Sequence, residues 1–410
     1  MKAVVFTLGC KVNSCESASL IKGLEDLGYE VSDELVFADL YIINTCAVTS
    51  EAEKKSRQAV ARVKKQNPNA KIIVTGCASQ NNPKAFIEKD GVTLVTGTVN
   101  KQKIIQLLND DGIKINDFTD TFDDVCIPKL LKTRAFVKIQ DGCNNFCSYC
   151  IIPYLRGRSR SRSPLSIKRE IELLKPIEAV LTAINLTAYK YENNTLTDLI
   201  NSLVDLDCRI RLGSLEENII SREFLSALSK LKDFAPHFHL SLQSGSNNTL
   251  KKMNRKYKAE DFINGVKLIR EFFPNAGITT DIIVGFPTET EEDFNETINF
   301  VKEVKFSDIH CFPYSPREGT ISYKMKDLPS TVKKERLNKL INIKEELKAE
   351  FIAQNLLTEK QLITEEYVDG FTVGYTENYI KCYLKGKIKD GKYKVKLISA
   401  YNDGAICELI

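Results

Sequence analysis

Short apolar runs alternate with amphipathic stretches along most of this chain. In the first 110 residues the apolar runs are 2–8, 39–44, 71–75 and 92–95, rich in Val and Ile, which is the pattern of buried strands. Residues 16–27, 51–66 and 83–89 between them have helical spacing. Such alternation predicts a parallel sheet with helices on its faces. Apolar periodicity is lost over 111–132, where Asp117, Asp120, Asp123 and Asp124 crowd together, and this puts the end of the first unit near 115. The stretch reads as a linker, with Cys126 in it as an incidental thiol.

The alternation resumes over 133–328. Strands are predicted at 135–139, 179–184, 210–214, 238–242, 279–284 and 308–312, and helices at 164–174, 195–206, 222–231, 259–272 and 291–304. A series of strand–helix units of this kind predicts an open or complete β/α barrel with its polar loops on one rim. Residues 330–358 form one amphipathic helix, with Leu337, Leu340, Ile341, Leu347 and Phe351 on one face. From 359 the period changes to two: Ile380, Cys382 and Leu384 face one way, and Tyr379, Lys381 and Tyr383 the other. Asp390-Gly391 has the form of a two-residue hairpin turn, and the whole predicts a small closed β-barrel.

Composition adds limits rather than a class. With 43% hydrophobic and 27% charged residues the chain is globular, and a net charge of +4 leaves any nucleic-acid affinity to local patches. One such patch lies between Lys381 and Lys396, with seven lysines and the single acid Asp390. Lys381, Lys394 and Lys396, interleaved with Tyr379, Tyr383 and Tyr393, are candidates for holding RNA backbone and stacked bases; lysine guarding an edge strand is the plainer alternative. No run reaches the apolar length of a membrane helix, and the opening MKAVVFTLGC reads as a strand. A reducing cytoplasm is expected, and it suits twelve free cysteines.

The chemistry is carried by the cysteines. Cys143, Cys147 and Cys150 stand at CxxxCxxC spacing in one short loop. Three thiolates in a loop suit a soft metal centre, and they can hold three corners of a [4Fe–4S] cube while leaving one iron open. Structural zinc closes with four ligands, commonly two CxxC pairs or a pair with histidine, but no second CxxC pair stands beside Cys147/Cys150 and no histidine is near; the histidines are His237, His239 and His310. Cys10, Cys46 and Cys77 each follow a predicted strand. In a doubly wound sheet those strand ends share one edge, so the three thiols can converge on a second site. Cys15 is read as an ordinary thiol, and Cys382 and Cys407 as core. Arg156, Arg158, Arg160 and Arg162 follow the loop as an alternating run, read as phosphate contacts, as a solvated arginine-rich loop, or as salt-bridge donors to the acidic linker.

These motifs resemble a known family. The loop has the radical S-adenosylmethionine (SAM) form CxxxCx-aromatic-C with Tyr149 as the aromatic, and the longer string GCNNFCSYCIIPYLRGRSRSR is similar to the methylthiotransferases. TLGCKVN at 7–13, INTCAVT at 43–49 and VTGCASQ at 74–80 resemble the three cysteine motifs of that family's N-terminal domain. HFHLSLQSGS, LKKMNRKY, TTDIIVGFP and FPYSPREGT resemble its core motifs, and the last 52 residues its RNA-binding TRAM barrel. Departures are AINLT at 183–187, Thr288 where glycine is usual, and Glu217 where proline is usual.

The resemblance implies a partial six-unit barrel and two [4Fe–4S] clusters. Cys143, Cys147 and Cys150 would hold the cluster that binds and cleaves SAM, and Cys10, Cys46 and Cys77 an auxiliary one. It suggests Tyr149, Glu216, Ser241 and Gln243 as SAM-side residues, and Arg156, Arg158, Lys381, Lys394 and Lys396 as RNA contacts. TLGCKVN is similar to the branch acting on N6-threonylcarbamoyladenosine (t6A) at tRNA position 37. The implied reaction is C2 methylthiolation in the anticodon loop by a monomer served by an external low-potential electron donor, with the sulfur source open. The alternatives are isopentenyladenosine-37, a ribosomal-protein aspartate, or a non-enzymatic RNA-binding protein with structural metal.

Overall fold

A computed structural model describes residues 1–122 and 133–410. Cys126, Asp123, Asp124 and the rest of the expected linker beyond 122 lie outside the described residues. Six parallel strands form the N-terminal sheet, in the spatial order Glu30–Ser32, Lys2–Thr7, Leu40–Thr45, Lys71–Gly76, Val92–Thr96, Gly112–Lys114. Two short strands escaped the sequence pattern: Glu30–Ser32, and Gly112–Lys114 inside the expected linker. Each has three residues and half-exposed side chains, too little for a period to register. The order reverses beside the first strand, where a crevice opens at the strand C-termini of a doubly wound sheet.

The central unit has six parallel strand positions. Arg134–Lys138, Glu178–Thr182 and Arg209–Leu212 form one sheet, and Ser214–Leu215, His237–Leu240, Gly277–Val284 and Asp308–Pro313 the next. Gly213 alone separates Arg209–Leu212 from Ser214–Leu215, and a bridge from Ile210 to Phe234 carries the pairing across. Among the described residues the first and last strands do not pair, so the barrel is open. Its core packs strand residues such as Val137, Leu181 and Phe238 against Ile167, Phe224 and Phe262 of the outer helices. The helices Pro164–Leu174, Ala259–Phe272 and Glu291–Val304 have the expected bounds; the last begins with a capping box between Thr290 and Asp293.

Thr288 sits at φ 72°, in the left-handed region that suits glycine. A β-branched residue is held there under strain, which explains why glycine belongs at this position.

Ser330–Asn355 is the connecting helix. It buries Leu340, Ile343, Leu347 and Ile352, while Ile341, expected on the inner face, is 37% exposed. The C-terminal unit is a closed five-stranded barrel, Glu359–Val368, Phe371–Tyr375, Lys381–Lys385, Gly404–Leu409 and Lys392–Tyr401 in spatial order. The expected hairpin at Asp390-Gly391 is absent. Gly404–Leu409 inserts between the two strands that flank it, pairing parallel to Lys381–Lys385 and antiparallel to Lys392–Tyr401. The dipeptide belongs to a crossover instead.

Candidate active site

The cysteine loop leaves its strand through Gly142, at φ 69°. A Cβ there would lie 2.0 Å from the Arg158 carbonyl oxygen, so only glycine lets the two backbone segments meet. The backbone amide of Cys143 donates to Gly157 O at 3.1 Å. The LKKMNRKY segment pins the far side: Asn254 Nδ2 donates to the carbonyls of Asn145 and Phe146, and Ser148 Oγ to that of Lys252.

Cys143, Cys147 and Cys150 border a cavity of about 140 Å³ that Tyr149, Glu216, Ser241 and Gln243 also line. All four residues suggested for the SAM side therefore meet the loop. Sequence reasoning passed over three others. Arg255 donates to Cys147 Sγ at 3.4 Å and to Ser241 O at 3.0 Å, and pairs with Glu216 at 2.8 Å. Asn145 and Asn185 each donate to Glu216, at 2.7 and 3.2 Å. Arg255 was legible inside the core motif LKKMNRKY, but nothing in the motif says that its side chain reaches a cysteine. Burial and the neighbouring thiols push the Cys150 thiol up to about 12, and burial raises Cys143. Thiols that oppose each other's ionisation in this way need a cation to become thiolates together.

The other three cysteines converge as the sheet requires. Cys10, Cys46 and Cys77 follow adjacent strands, and a Cβ on Gly9 would lie 2.9 Å from Cys46 Sγ. Burial, then Cys77 and Cys10, raise the Cys46 thiol to about 11. Gly76, at φ 108°, passes so close to Thr45 that a Cβ would lie 2.5 Å from its carbonyl oxygen. Cys15 donates instead to the Phe136 carbonyl, away from the site, and Cys382 and Cys407 are buried in the C-terminal barrel.

Arg156 is wholly buried, which corrects its assignment as an RNA contact. Its guanidinium pairs with Glu16 at 2.9 Å and Asp141 at 3.1 Å, donates to Asn13 Oδ1 at 2.7 Å, and reaches Cys77. Burial opposes ionisation of Asp141, but Lys138, Arg156 and Arg160 outweigh it and hold the carboxyl well below its usual range. Glu16 is likewise depressed, by Arg156, Lys101 and Lys138 against burial. Arg160 and Arg162 are buried too, Arg160 on Asp141 and Arg162 on Glu170, so the run supplies interior ion pairs rather than a phosphate track. Only Arg158 of the four is exposed, its guanidinium 4.6 Å from the centre of the Phe146 ring.

In the C-terminal barrel Lys394 and Lys396 are exposed, whereas Lys381 is half-buried and pairs with Asp403 at 3.2 Å. Tyr379 is stacked on both faces, by His237 at 4.4 Å and Tyr375 at 4.7 Å, and Tyr383 packs against Phe371 and Tyr401. Neither tyrosine offers the open face that stacking on a base needs.

A second cavity, of about 750 Å³, runs between the N-terminal sheet, the open barrel and the C-terminal barrel. Cys10 and Lys11 line one side, His239, Asp281 and His310 another. Hydrogen bonds join His237, Thr279, His239, Asp281 and His310 in one chain. Burial disfavours the Asp281 carboxylate, but the bonds from His239 and His310 outweigh it and hold its pKa low. The large cavity and the SAM-side cavity share Ser214, so the loop triad borders one of two adjoining spaces and Cys10 of the sheet triad the other.

Among the described residues, only His239, Asp281 and His310 bring three His, Cys or acidic ligand atoms within 4.8 Å of one another. Neither cysteine triad closes to that spacing. Thiolates sharing one zinc would stand about 3.8 Å apart at the usual bond length. The wider triads fit a polynuclear centre instead.

Comparison with known proteins agrees with these features. Residues 137–301 match the model of the radical SAM superfamily, and residues 2–97 that of the uncharacterized protein family UPF0004. Threonylcarbamoyladenosine tRNA methylthiotransferase MtaB of Bacillus subtilis is 38% identical, covering 100% of this chain and 97% of its own. A tRNA-2-methylthio-N(6)-dimethylallyladenosine synthase of Clostridium novyi is also 38% identical, over 84% of this chain and 81% of its own. Among solved structures, the radical SAM methyltransferase TsrM of Kitasatospora setae superposes with a TM-score of 0.56 at 14% identity, covering 76% of this chain and 73% of that one, a likeness of fold.

Proposed function

The chain belongs to the tRNA methylthiotransferase family of radical SAM enzymes, and from that premise we propose that it methylthiolates C2 of t6A at position 37 of tRNA. The observation that carries this reading is a cysteine triad on one cavity and Cys10 of a second triad on an adjoining one, the two cavities meeting at Ser214. A reaction that breaks a C–H bond and installs sulfur at the same carbon needs both centres within reach of one base. The branch assignment is supported by the relatives: at equal identity, the one named for threonylcarbamoyladenosine is matched over the whole chain, the one named for dimethylallyladenosine over less of it.

Two [4Fe–4S] clusters and SAM, when bound, supply the electron that cleaves SAM, the 5′-deoxyadenosyl radical that takes hydrogen from C2, and the sulfur and methyl group of the product. Cys143, Cys147 and Cys150 would hold the first cluster and leave one iron open to SAM; Cys10, Cys46 and Cys77 would hold the second. Arg255 brings positive charge to Cys147, while Asn145, Asn185 and Arg255 fix the Glu216 carboxylate so that it can orient SAM beside Tyr149, Ser241 and Gln243. Leu215 and Ile184 give the same cavity an apolar lining that keeps water from a reactive radical. The large cavity would take the adenine, and Arg158, Lys394 and Lys396 the RNA backbone. The electron donor would be an external protein of flavodoxin or ferredoxin type, and the enzyme a cytoplasmic monomer.

Mass spectrometry of nucleosides from total tRNA of a deletion strain tests this. The expected result is loss of 2-methylthio-t6A and accumulation of t6A, restored by the wild-type gene but not by Cys147→Ala or Cys46→Ala. Loss of the isopentenyladenosine product instead would overturn the branch, and an unchanged profile, with redundancy excluded, would overturn tRNA as the substrate.

A further inference from the structure

The large cavity is rich in charge, and most of that charge is paired off. Asp281 gives one oxygen to His239 and the other to His310, at 3.2 and 2.9 Å. Asp308 is held by Lys348 at 3.0 Å, and Asp403 by Lys381 at 3.2 Å. Behind the stack of Tyr375 and Tyr379, Glu178 pairs with both Arg134 and Arg211 at 2.9 Å. Lys11 is left over. Its side chain stands in the cavity, one residue beyond Cys10, and among the described residues no hydrogen bond or ion pair reaches its ammonium. The charges acting on it are the repelling guanidiniums of Arg211 and Arg134 and the attracting carboxylates of Glu178 and Asp281, both already engaged.

We propose that Lys11 binds the carboxylate of the threonylcarbamoyl group on the substrate adenine, and so selects that base; this rests on the t6A reading above. Lys11 is exposed to the open cavity, where water can solvate it. A base that fills the cavity displaces that water, and a ligand carboxylate then supplies the missing partner as a charge-assisted hydrogen bond. The chemistry of the base places that carboxylate well. The side chain is a urea that joins N6 to threonine, and its distal N–H can donate to N1 of the same purine. That internal bond folds the threonine toward the edge that carries C2. The carbon to be modified and the carboxylate then lie on one edge of the base, as Cys10 and Lys11 lie side by side in the chain. A dimethylallyl group on N6 carries no charge and would cover Lys11 without pairing it, so the base that displaces its water gives nothing in return.

The test uses reconstituted holoenzyme and three anticodon stem-loop RNAs: one with t6A, one with its carboxylate converted to the methylamide, one with dimethylallyladenosine. Wild type should lose roughly 10- to 100-fold in kcat/KM on the amide, the weight of a hydrogen bond to a charged group. Lys11→Met should fall by a similar factor on the acid and treat acid and amide alike, while Lys11→Arg should keep most of the preference. Fluorescence anisotropy of the same RNAs, with SAM omitted, reads the acid-to-amide ratio even where turnover is lost, and iron content is measured on each variant. Equal use of acid and amide by wild type, or an undiminished acid preference in Lys11→Met, would overturn the role of Lys11 and leave the t6A assignment standing. Modification of the dimethylallyl RNA alone would sink the t6A assignment itself.

Discussion

The two cysteine triads reach similar chemistry by opposite routes. Cys143, Cys147 and Cys150 come from a single loop, held by Gly142 and by side chains of the LKKMNRKY segment. Cys10, Cys46 and Cys77 come from three strand ends, and the parallel sheet brings them together. Each triad has one arginine against a thiol, Arg255 on Cys147 and Arg156 on Cys77. There the likeness ends. Arg255 lines the cavity where SAM would bind, so under the proposed function its charge would serve the chemistry. Arg156 has no exposed surface and lies among Asp141 of the barrel and Asn13 and Glu16 of the N-terminal unit. It ties the two units together at the point where the auxiliary triad faces the barrel. A site drawn from distant strands depends on the packing of domains, whereas a site drawn from one loop depends on that loop.

The largest effect that separates the sites is loss of a cysteine. Either Cys147→Ala or Cys46→Ala should remove about half of the iron of reconstituted protein and abolish the methylthio product. Reductive cleavage of SAM divides them: Cys46→Ala should still release 5′-deoxyadenosine, and Cys147→Ala should not. Cleavage by both variants, or by neither, would break the division of labour between the triads.

Arg156→Met comes next. Removing the guanidinium leaves Glu16 and Asp141 buried beside fewer cations, and breaking a buried pair of this kind costs about 3–5 kcal/mol. Arg255→Met should change thermal unfolding far less while impairing SAM cleavage. Urea unfolding of both iron-free variants checks the contrast, and equal destabilisation would remove it.

How far these features were legible follows from the range of the interaction involved. Strands of both α/β units showed in the sequence as short apolar runs because most are buried on both faces, and the helices because one face of each packs on the core. The loop triad showed because its spacing is local. The sheet triad showed only through a topological rule, that parallel strand ends share an edge. What failed was long-range. Arg156 looked like a surface residue because its partners Glu16 and Asp141 lie far off or are unremarkable in sequence. Asp390-Gly391 describes a bend, but which strand pairs with which was decided by Gly404–Leu409, whose parallel place beside Lys381–Lys385 has no local sign. Lys11 was hidden for a related reason: a cation is noticed as unpaired only when its neighbours are known.

Acid should act through the sheet triad's surroundings. Glu16 and Asp141 are depressed in the folded chain, so their contribution is complete above the unfolded carboxylate value of about 4 and is lost as pH falls below it toward the folded values. Stability of the iron-free protein should therefore fall below about pH 4. Arg156→Met, which removes a main cause of both depressions, should show a shallower fall. Urea midpoints measured across this range decide it, and parallel curves for the two proteins would mean that other carboxylates govern the acid limb.

The smallest effects belong to two glycines that do the same work in the two sites. Gly142 and Gly76 both have positive φ, and a Cβ on either would strike a carbonyl oxygen, at 2.0 Å for Gly142 and 2.5 Å for Gly76. Alanine at each should cost about 1–3 kcal/mol as local strain. The consequences should diverge as they do for the cysteines. Gly142→Ala pushes apart the two ends of the cysteine loop, so iron bound there and SAM cleavage should both decline. Gly76→Ala displaces Cys77 against the Thr45 backbone, so the product should decline while cleavage persists. If Gly76→Ala lowered SAM cleavage as much as Gly142→Ala, the strand-end triad would be mechanically coupled to the loop through the network around Arg156, and independence of the two sites would give way to one shared frame.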